Sequence, residues 1–366
     1  MNKMVFANLV HRPLRSLISI VAVALEVALI LLMVGLSLGL LNDARERLAG
    51  VGADVIVQPP SSSFLQGITG APVSIKVADT LRRLPLVTTV SPVITQLNTA
   101  GRLEVIYGID LQSFEALRPF HYLAGGPFEG PFDVLVDDYF AQANHVRVGQ
   151  SIELFDQPFR VAGIVEHGRG ARKFVPIKTL QDLIGAQGKT SVFYVKLDDP
   201  ANADAVAAGI RKVPGMEKYI VRSLAEYLSM FTMDNIPGLA TFIKVVIGVA
   251  VAIGFIVIFQ AMYTAVMERT REIGILKSLG ASRLYIANVV LRETTLLAVL
   301  GILLGVGLSY AARAAIVRNF PLLRIIVPTS WVGWASVIAI FGALLGAIYP
   351  AIKAARKDPI DALAYE

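Results

Sequence analysis

The chain contains no cysteine. This excludes disulfides, thiol catalysis and thiolate metal sites, so any folded domain outside a membrane must be held by its own core. Histidine is nearly as scarce: His11, His121, His145 and His167 stand apart, with none of the i,i+3 or i,i+4 pairs that place two ligands on one helix face. Charge is thin as well, with Asp, Glu, Lys and Arg making up 17% of the residues. Two enzyme-like patterns fail on inspection. Gly35-Leu-Ser-Leu-Gly39 lies inside a long apolar run, whereas a nucleophile elbow needs a sharp strand-to-helix turn. Gly185-Ala-Gln-Gly-Lys-Thr190 has Leu183 where a phosphate-binding loop needs its first glycine. The chain therefore carries no hydrolase or ATPase motif, and no catalytic, cofactor-binding or metal-ligating set is expected.

What is present is apolar length. The sequence is 55% hydrophobic with a mean hydropathy of +0.61. Four runs can span a hydrocarbon core of ~30 Å, which takes about 20 helical residues. They lie at 16–42, 239–267, 284–312 and 331–352. The first is too long for a signal-peptide core and reads as an anchor that stays. The pattern predicts an α-helical membrane protein in a one-plus-three arrangement, with an α+β domain at 43–238 inserted after the first helix. A segment at 1–15, loops at 268–283 and 313–330 and a tail at 353–366 complete it. The N-terminal segment, the 268–283 loop and the tail hold ten lysines and arginines, against three in the 313–330 loop. The positive-inside rule then places both termini and the 268–283 loop in the cytoplasm. The net charge of +6 falls largely at these helix ends, where it meets anionic lipid, and nucleic acid is not expected as a partner.

Within 43–238, apolar and polar residues alternate between turn residues. Strands are predicted at 53–58, 88–96, 103–109, 134–136, 151–155, 159–166, 174–175 and 192–197. Helices are predicted at 77–84, 179–185, 201–213 and 223–233, with a loop at 61–70 and a β-rich insertion at about 120–195.

The stretch 268–283 is the most informative. A bare turn needs few polar residues, yet this one is helix-capable and sign-mixed. On a helix, Ile273, Leu276 and Gly280 share one side, with Glu268, Arg271, Glu272 and Lys277 at its edges. Such an apolar ridge can lie along the membrane or fit a groove on a partner. Gly280 followed by Ala281 and Ser282 predicts a helix stop and a turn into the third span. Two polar features sit inside the spans. Glu26 lies about 15 Å deep at 1.5 Å per residue, and Arg292, with Glu293 beside it, lies at similar depth in the third span. A Glu26–Arg292 contact, with Glu293 as competitor, is expected to serve as structural glue, as part of a transmission path or as the lining of a polar cavity.

The pattern E-R-x-x-E-I-G-x-L-x-x-L-G-A-S at 268–282 resembles that of MacB/FtsX-type permeases of ABC systems. Glu268, Arg269, Glu272, Ile273, Gly274, Leu276, Leu279, Gly280, Ala281 and Ser282 stand at the matching positions. The tail, with Asp358, Pro359, Ala362 and Leu363, is similar to that family's closing segment, although Ala364 stands where arginine is frequent. Residues 133–166 also resemble a recurrent pattern of its external domain. The resemblance implies that 268–283 contacts a cytoplasmic ATPase, with Arg271 and Lys277 included in the coupling element. It further implies two ATPase copies that bind ATP and Mg, a second permease copy or paralogue, and an external adaptor or substrate protein as a further partner. The expected place is the bacterial cytoplasmic (inner) membrane. With no nucleotide-binding domain read at either end, the ATPase is expected on another chain. The expected work is export or extraction of a drug, peptide, lipid or lipoprotein; the alternatives are mechanical activation of an external enzyme and a tethered receptor.

Overall fold

The computed structural model describes residues 13–60, 62, 72–98 and 104–357. Its first element is a helix, α1 (Pro13–Gly50), longer than any span requires. Contacts divide the chain into two units. One takes the chain up to Gly39, then Pro237–Asn319 and the chain from Leu323; the other takes Leu40–Ile236 with Phe320–Leu322.

The second unit is α+β. In chain order it contains β1 (Val55–Gln58), β2 (Val73–Ser74), α2 (Val77–Arg82), β3 (Val87–Asn98), β4 (Glu104–Ile109) and α3 (Leu111–Leu117). There follow β5 (Tyr122–Gly125), β6 (Asp133–Asp137), α4 (Asp138–Asn144), β7 (Ser151–Leu154), β8 (Gln157–Val165) and β9 (Lys173–Pro176). It closes with α5 (Ile177–Leu183), β10 (Lys189–Thr190), β11 (Val192–Leu197), α6 (Ala203–Ile210), β12 (Ile220–Ser223) and α7 (Leu224–Ser229).

Ten of these strands form one sheet in the order β12-β1-β11-β3-β4-β9-β6-β8-β5, with β7 on β8. The expected β-rich insertion therefore shares a sheet with the rest of the unit, joined through the parallel β4–β9 pair. Alternation sets the two faces. Val55, Val57, Phe193 and Val195 pack under α2 and α6, while Ile94, Ile106, Val134, Val136, Phe159 and Val161 pack near α4 and α5. Their odd-register neighbours Ile56, Val93, Tyr107, Val192 and Tyr194 face the opposite side with Phe114, Phe120 and Phe174.

Several helix starts have a local cause. Asp110 accepts from Ser113 N–H, Asp137 from Phe140 N–H at 2.6 Å, and Ser223 from Glu226 N–H. Each side chain satisfies an N–H that the first helical turn leaves unpaired. The helix expected at 223–233 is shorter, ending at Ser229. Helix α3 and strands β5 and β12 were not expected. The loop expected at 61–70 falls mostly outside the described residues.

Among the described residues, the regular elements of the first unit are helices: the first part of α1, then α8 (Leu239–Glu268), α9 (Thr270–Ser278), α10 (Arg283–Asn319) and α11 (Thr329–Arg356). Four of these helices are long and apolar enough to cross a membrane. The buried faces meet along Val23, Val27, Ile30 and Leu31 of α1, Ile258 and Met262 of α8, Leu297 and Ala298 of α10, and the alanines 335, 339, 343 and 347 of α11. Glycine permits the closest approaches. A Cβ on Gly301 would stand 2.6 Å from Val23 Cβ, and one on Gly305 2.6 Å from the Ala24 carbonyl oxygen. The extended backbone at 324–326 runs against Gly35 and Gly39, with Ile326 N–H donating to the Gly35 carbonyl at 3.0 Å. Apolar side chains such as Ile253, Leu303 and Phe341 point outward, as lipid-facing residues do.

Candidate functional site

The reversal between α8 and α10 is built from short-range chemistry. Helix α8 breaks at Arg269, and α9 follows for nine residues. At its end Gly280 takes φ +95°, a conformation that glycine adopts without a Cβ penalty. Gly280 N–H donates to the Lys277 carbonyl and Ala281 N–H to the Leu276 carbonyl, the two bonds of a Schellman cap. Ser282 Oγ then accepts from Tyr285 N–H at 3.1 Å and starts α10. Gly280-Ala281-Ser282 thus stops one helix and starts the next within three residues.

Helix α9 uses its apolar side inward. Ile273 is buried and Leu276 half-buried against Val266, Ile286 and Ala354. Of the ridge expected to lie along the membrane or to fit a partner's groove, Ile273 and Leu276 thus pack on the chain's own helices, while Gly280 at the turn is exposed. The outward face is another: Arg271, Glu272, Ile275 and Leu279 are exposed, with Leu279 at 80% and Leu284, just beyond the turn, at 79%. Gly274 is buried, Ala281 half-buried and Ser282 exposed.

Charge fixes the inner side. Glu293, 6% exposed at its side chain, accepts from Arg269 at 3.1 Å and from Arg15 at 3.3 Å; Arg15 also lies 3.5 Å from Glu268. This cluster ties α1, α8, the α8–α9 break and α10 together. Across the element, Lys277 Nζ donates to the Ala355 carbonyl at 3.0 Å and to the Lys357 carbonyl. A cation there satisfies carbonyls that the end of α11 leaves free and complements the helix dipole. Sequence reading missed both Arg15 and the Lys277 cap; the arginine counted only as a topological charge.

The expected Glu26–Arg292 contact is not formed. Arg292 is exposed, and Glu293, one residue on and about 100° round the helix, faces the cluster instead. Glu26 is 5% exposed and lies between α8 and α11, in a notch where a Cβ on Gly254 would come within 2.1 Å of its Oε2. Its Oε1 makes no hydrogen bond among the described residues. The tail residues Asp358, Pro359, Ala362 and Leu363 lie outside the described residues. Among the described residues no cluster of three or more metal-ligating side chains occurs.

Two family models match the chain. The MacB-like periplasmic core domain covers residues 16–213, and the FtsX-like permease C-terminal domain covers 244–359. The chain belongs to the MacB/FtsX family of ABC transporter permeases. It is similar to the ABC transporter permease YknZ of Bacillus subtilis, 35% identical over 172 residues, covering 45% of this chain and 36% of YknZ. It is also 24% identical to the macrolide export ATP-binding/permease protein MacB of a Shewanella strain, over 97% of this chain and 59% of that protein. The permease MJ1507 of Methanocaldococcus jannaschii is 24% identical over 98% of this chain and 96% of its own length. This permease thus spans little more than a third of YknZ and under two thirds of MacB. Among solved structures, the periplasmic region of MacB from Actinobacillus actinomycetemcomitans aligns with a TM-score of 0.39 at 16% identity, over 50% of this chain and 94% of that one. Four apolar helices and a MacB-type external domain fit a multi-pass membrane permease.

Proposed function

We propose that this chain couples ATP hydrolysis, performed by a separate cytoplasmic ATPase, to movement of its external unit, and that 268–283 is the contact. The observation that carries this reading is the division of labour on α9. Arg269, the residue just before its first turn, is paired with Glu293 of α10, its own Ile273 and Leu276 pack inward and its Lys277 caps α11, while its outer side leaves Arg271, Glu272, Ile275 and Leu279 in solvent. A helix held by several spans and exposed on one face can pass a push from a partner into those spans. The exposed pair Ile275 and Leu279, an i,i+4 apolar anchor with charged borders, suits a groove on a folded partner. ATP and Mg would reside on that partner.

The excess of lysine and arginine in the reversal and terminal segments supports cytoplasmic termini. Relatives named for macrolide export support export as the work done, with extraction or mechanical activation of an external enzyme as the alternatives. A dimer of permeases with two ATPases is the assembly proposed. Purification of tagged chain from native membranes tests the contact, beside a variant carrying Glu272→Lys and Leu279→Glu. Both positions are exposed, so the fold should survive. Co-purification of an ATPase with the parent and its loss from the variant are expected; an equally stable variant that retains the ATPase would refute the contact.

A further inference from the structure

A cavity of about 220 Å³ opens within the external unit, between the odd-register face of the sheet and the last turns of α1 and α7. At ~30 Å³ per water it has room for about seven waters, or for a ligand of about ten non-hydrogen atoms. Its walls are apolar where Ile56, Val192 and Phe231 line it. Its polar groups are unusual for a protein core. Gln58, 3% exposed, bonds through Nε2 to the Tyr227 hydroxyl at 3.4 Å, yet its buried Oε1 has no partner among the described residues. A buried amide atom without a partner is costly and calls for a ligand or an ordered water.

The remaining groups set the polarity. Tyr107 and Tyr194 share one hydrogen bond, 3.1 Å between hydroxyls, so one hydroxyl proton remains to be donated. Burial pushes both phenols up, which keeps them protonated. Arg47 lines the cavity, with Nε 3.1 Å from Asp43 Oδ2, a contact with the distance of an ion pair but not the angle of a hydrogen bond. Its terminal nitrogens make no hydrogen bond among the described residues and keep the planar fork that matches a carboxylate. Amide oxygen and nitrogen exchange by a half-turn of the side chain, and so turned Gln58 would offer its NH₂ to the cavity while its oxygen accepts from Tyr227. With Gln58 in that orientation, the Arg47 fork and the spare tyrosine proton make donors outnumber acceptors, and the group that satisfies them is one that only accepts.

We propose that this cavity is a ligand site for a small amphiphile with a carboxylate head, held by Arg47, Gln58 and the Tyr107–Tyr194 pair, with its apolar body along Ile56, Val192 and Phe231. The site stands independently of the ATPase contact, since binding needs no nucleotide and no partner.

Octanoate is the probe, titrated calorimetrically into the full chain in phosphatidylcholine nanodiscs, with empty nanodiscs as the reference for partition into lipid. One saturable site per chain is expected. Arg47→Gln should weaken it at least tenfold. Gln58→Glu should do the same; it keeps the side chain's shape while adding a charge that repels the head. Octylamine, of equal length and opposite charge, should show lipid partition only. Octanoate heats equal to those of empty nanodiscs would overturn the proposal. So would saturable binding that withstands both substitutions in chains with unchanged circular dichroism, or octylamine filling the site as well as octanoate. If Arg47→Gln unfolds the chain, Gln58→Glu and the octylamine comparison decide.

Discussion

Replacing Glu293 by glutamine keeps its size and removes its charge from between two guanidinium groups. The carboxylate accepts from Arg269 at 3.1 Å and Arg15 at 3.3 Å, with side-chain exposures of 6%, 14% and 14%. A charge-assisted hydrogen bond contributes about 1.5–3 kcal/mol, and breaking a buried pair costs about 3–5 kcal/mol because the partner is left uncompensated. The arginines keep some solvent and Arg15 keeps Glu268, so the loss should sit near the lower bound, about 3 kcal/mol. Arg15→Gln should cost less, about 1 kcal/mol, since Glu293 retains Arg269. Denaturation in mixed micelles of lipid and SDS, followed by circular dichroism, gives these values. The decisive quantity is the coupling in a Glu293→Gln, Arg269→Gln cycle, expected at about 1–2 kcal/mol. Additive single losses, with coupling under about 0.5 kcal/mol, would refute the claim that this pair holds the reversal.

Lys277→Met should raise hydrogen exchange across α9 and destabilise the chain by about 1–2 kcal/mol, because the freed carbonyls at the end of α11 lose a charged donor; unchanged exchange would contradict the cap. Gly305→Val should prevent stable accumulation, since a Cβ would meet the Ala24 carbonyl at 2.6 Å, while Gly307→Ala, which meets nothing within 4 Å, should be tolerated or stabilise slightly. Equal yields from the two would show that α1 and α10 do not approach at Gly305. Burial raises the Asp137 carboxyl to about 6, against the pull of Arg172 3.1 Å away. Because the folded value lies above the unfolded one, its contribution to stability is complete below about pH 4 and disappears as pH rises through 6. Thermal unfolding should therefore show a loss between pH 4 and 7 that Asp137→Asn flattens; an identical slope in the variant would assign it elsewhere.

Much of the architecture was legible because its causes are local. The spans follow from apolar length; β8 follows from alternation that matches its one buried face, and β1, β3, β4 and β11 from short apolar runs bounded by turn residues and buried on both faces. The Gly280-Ala281-Ser282 reversal is written in three adjacent residues. What failed required knowing how helices rotate against one another. Depth placed Glu26 and Arg292 at one level, but a single residue's rotation gave the inward position to Glu293 and left Arg292 outside. The same ambiguity left the cover of α9 open: an amphipathic pattern shows that a face is covered, not by what, and Ile273 and Leu276 are covered by Val266, Ile286 and Ala354 of the chain's own helices. The β4–β9 pairing and the Lys277 cap join residues far apart in sequence, with no local signal.

The measurement that bears most directly on the coupling claim is site-specific photocrosslinking in native membranes, with a photoreactive residue at Leu279 or, separately, at Leu303. Both side chains are exposed, at 80% and 66%, one on the reversal and the other on the apolar surface of α10. A crosslink from Leu279 to an ABC ATPase, absent from Leu303, is the predicted result. A chain that accumulates normally and captures no ATPase from Leu279, or captures it equally from Leu303, would contradict the account.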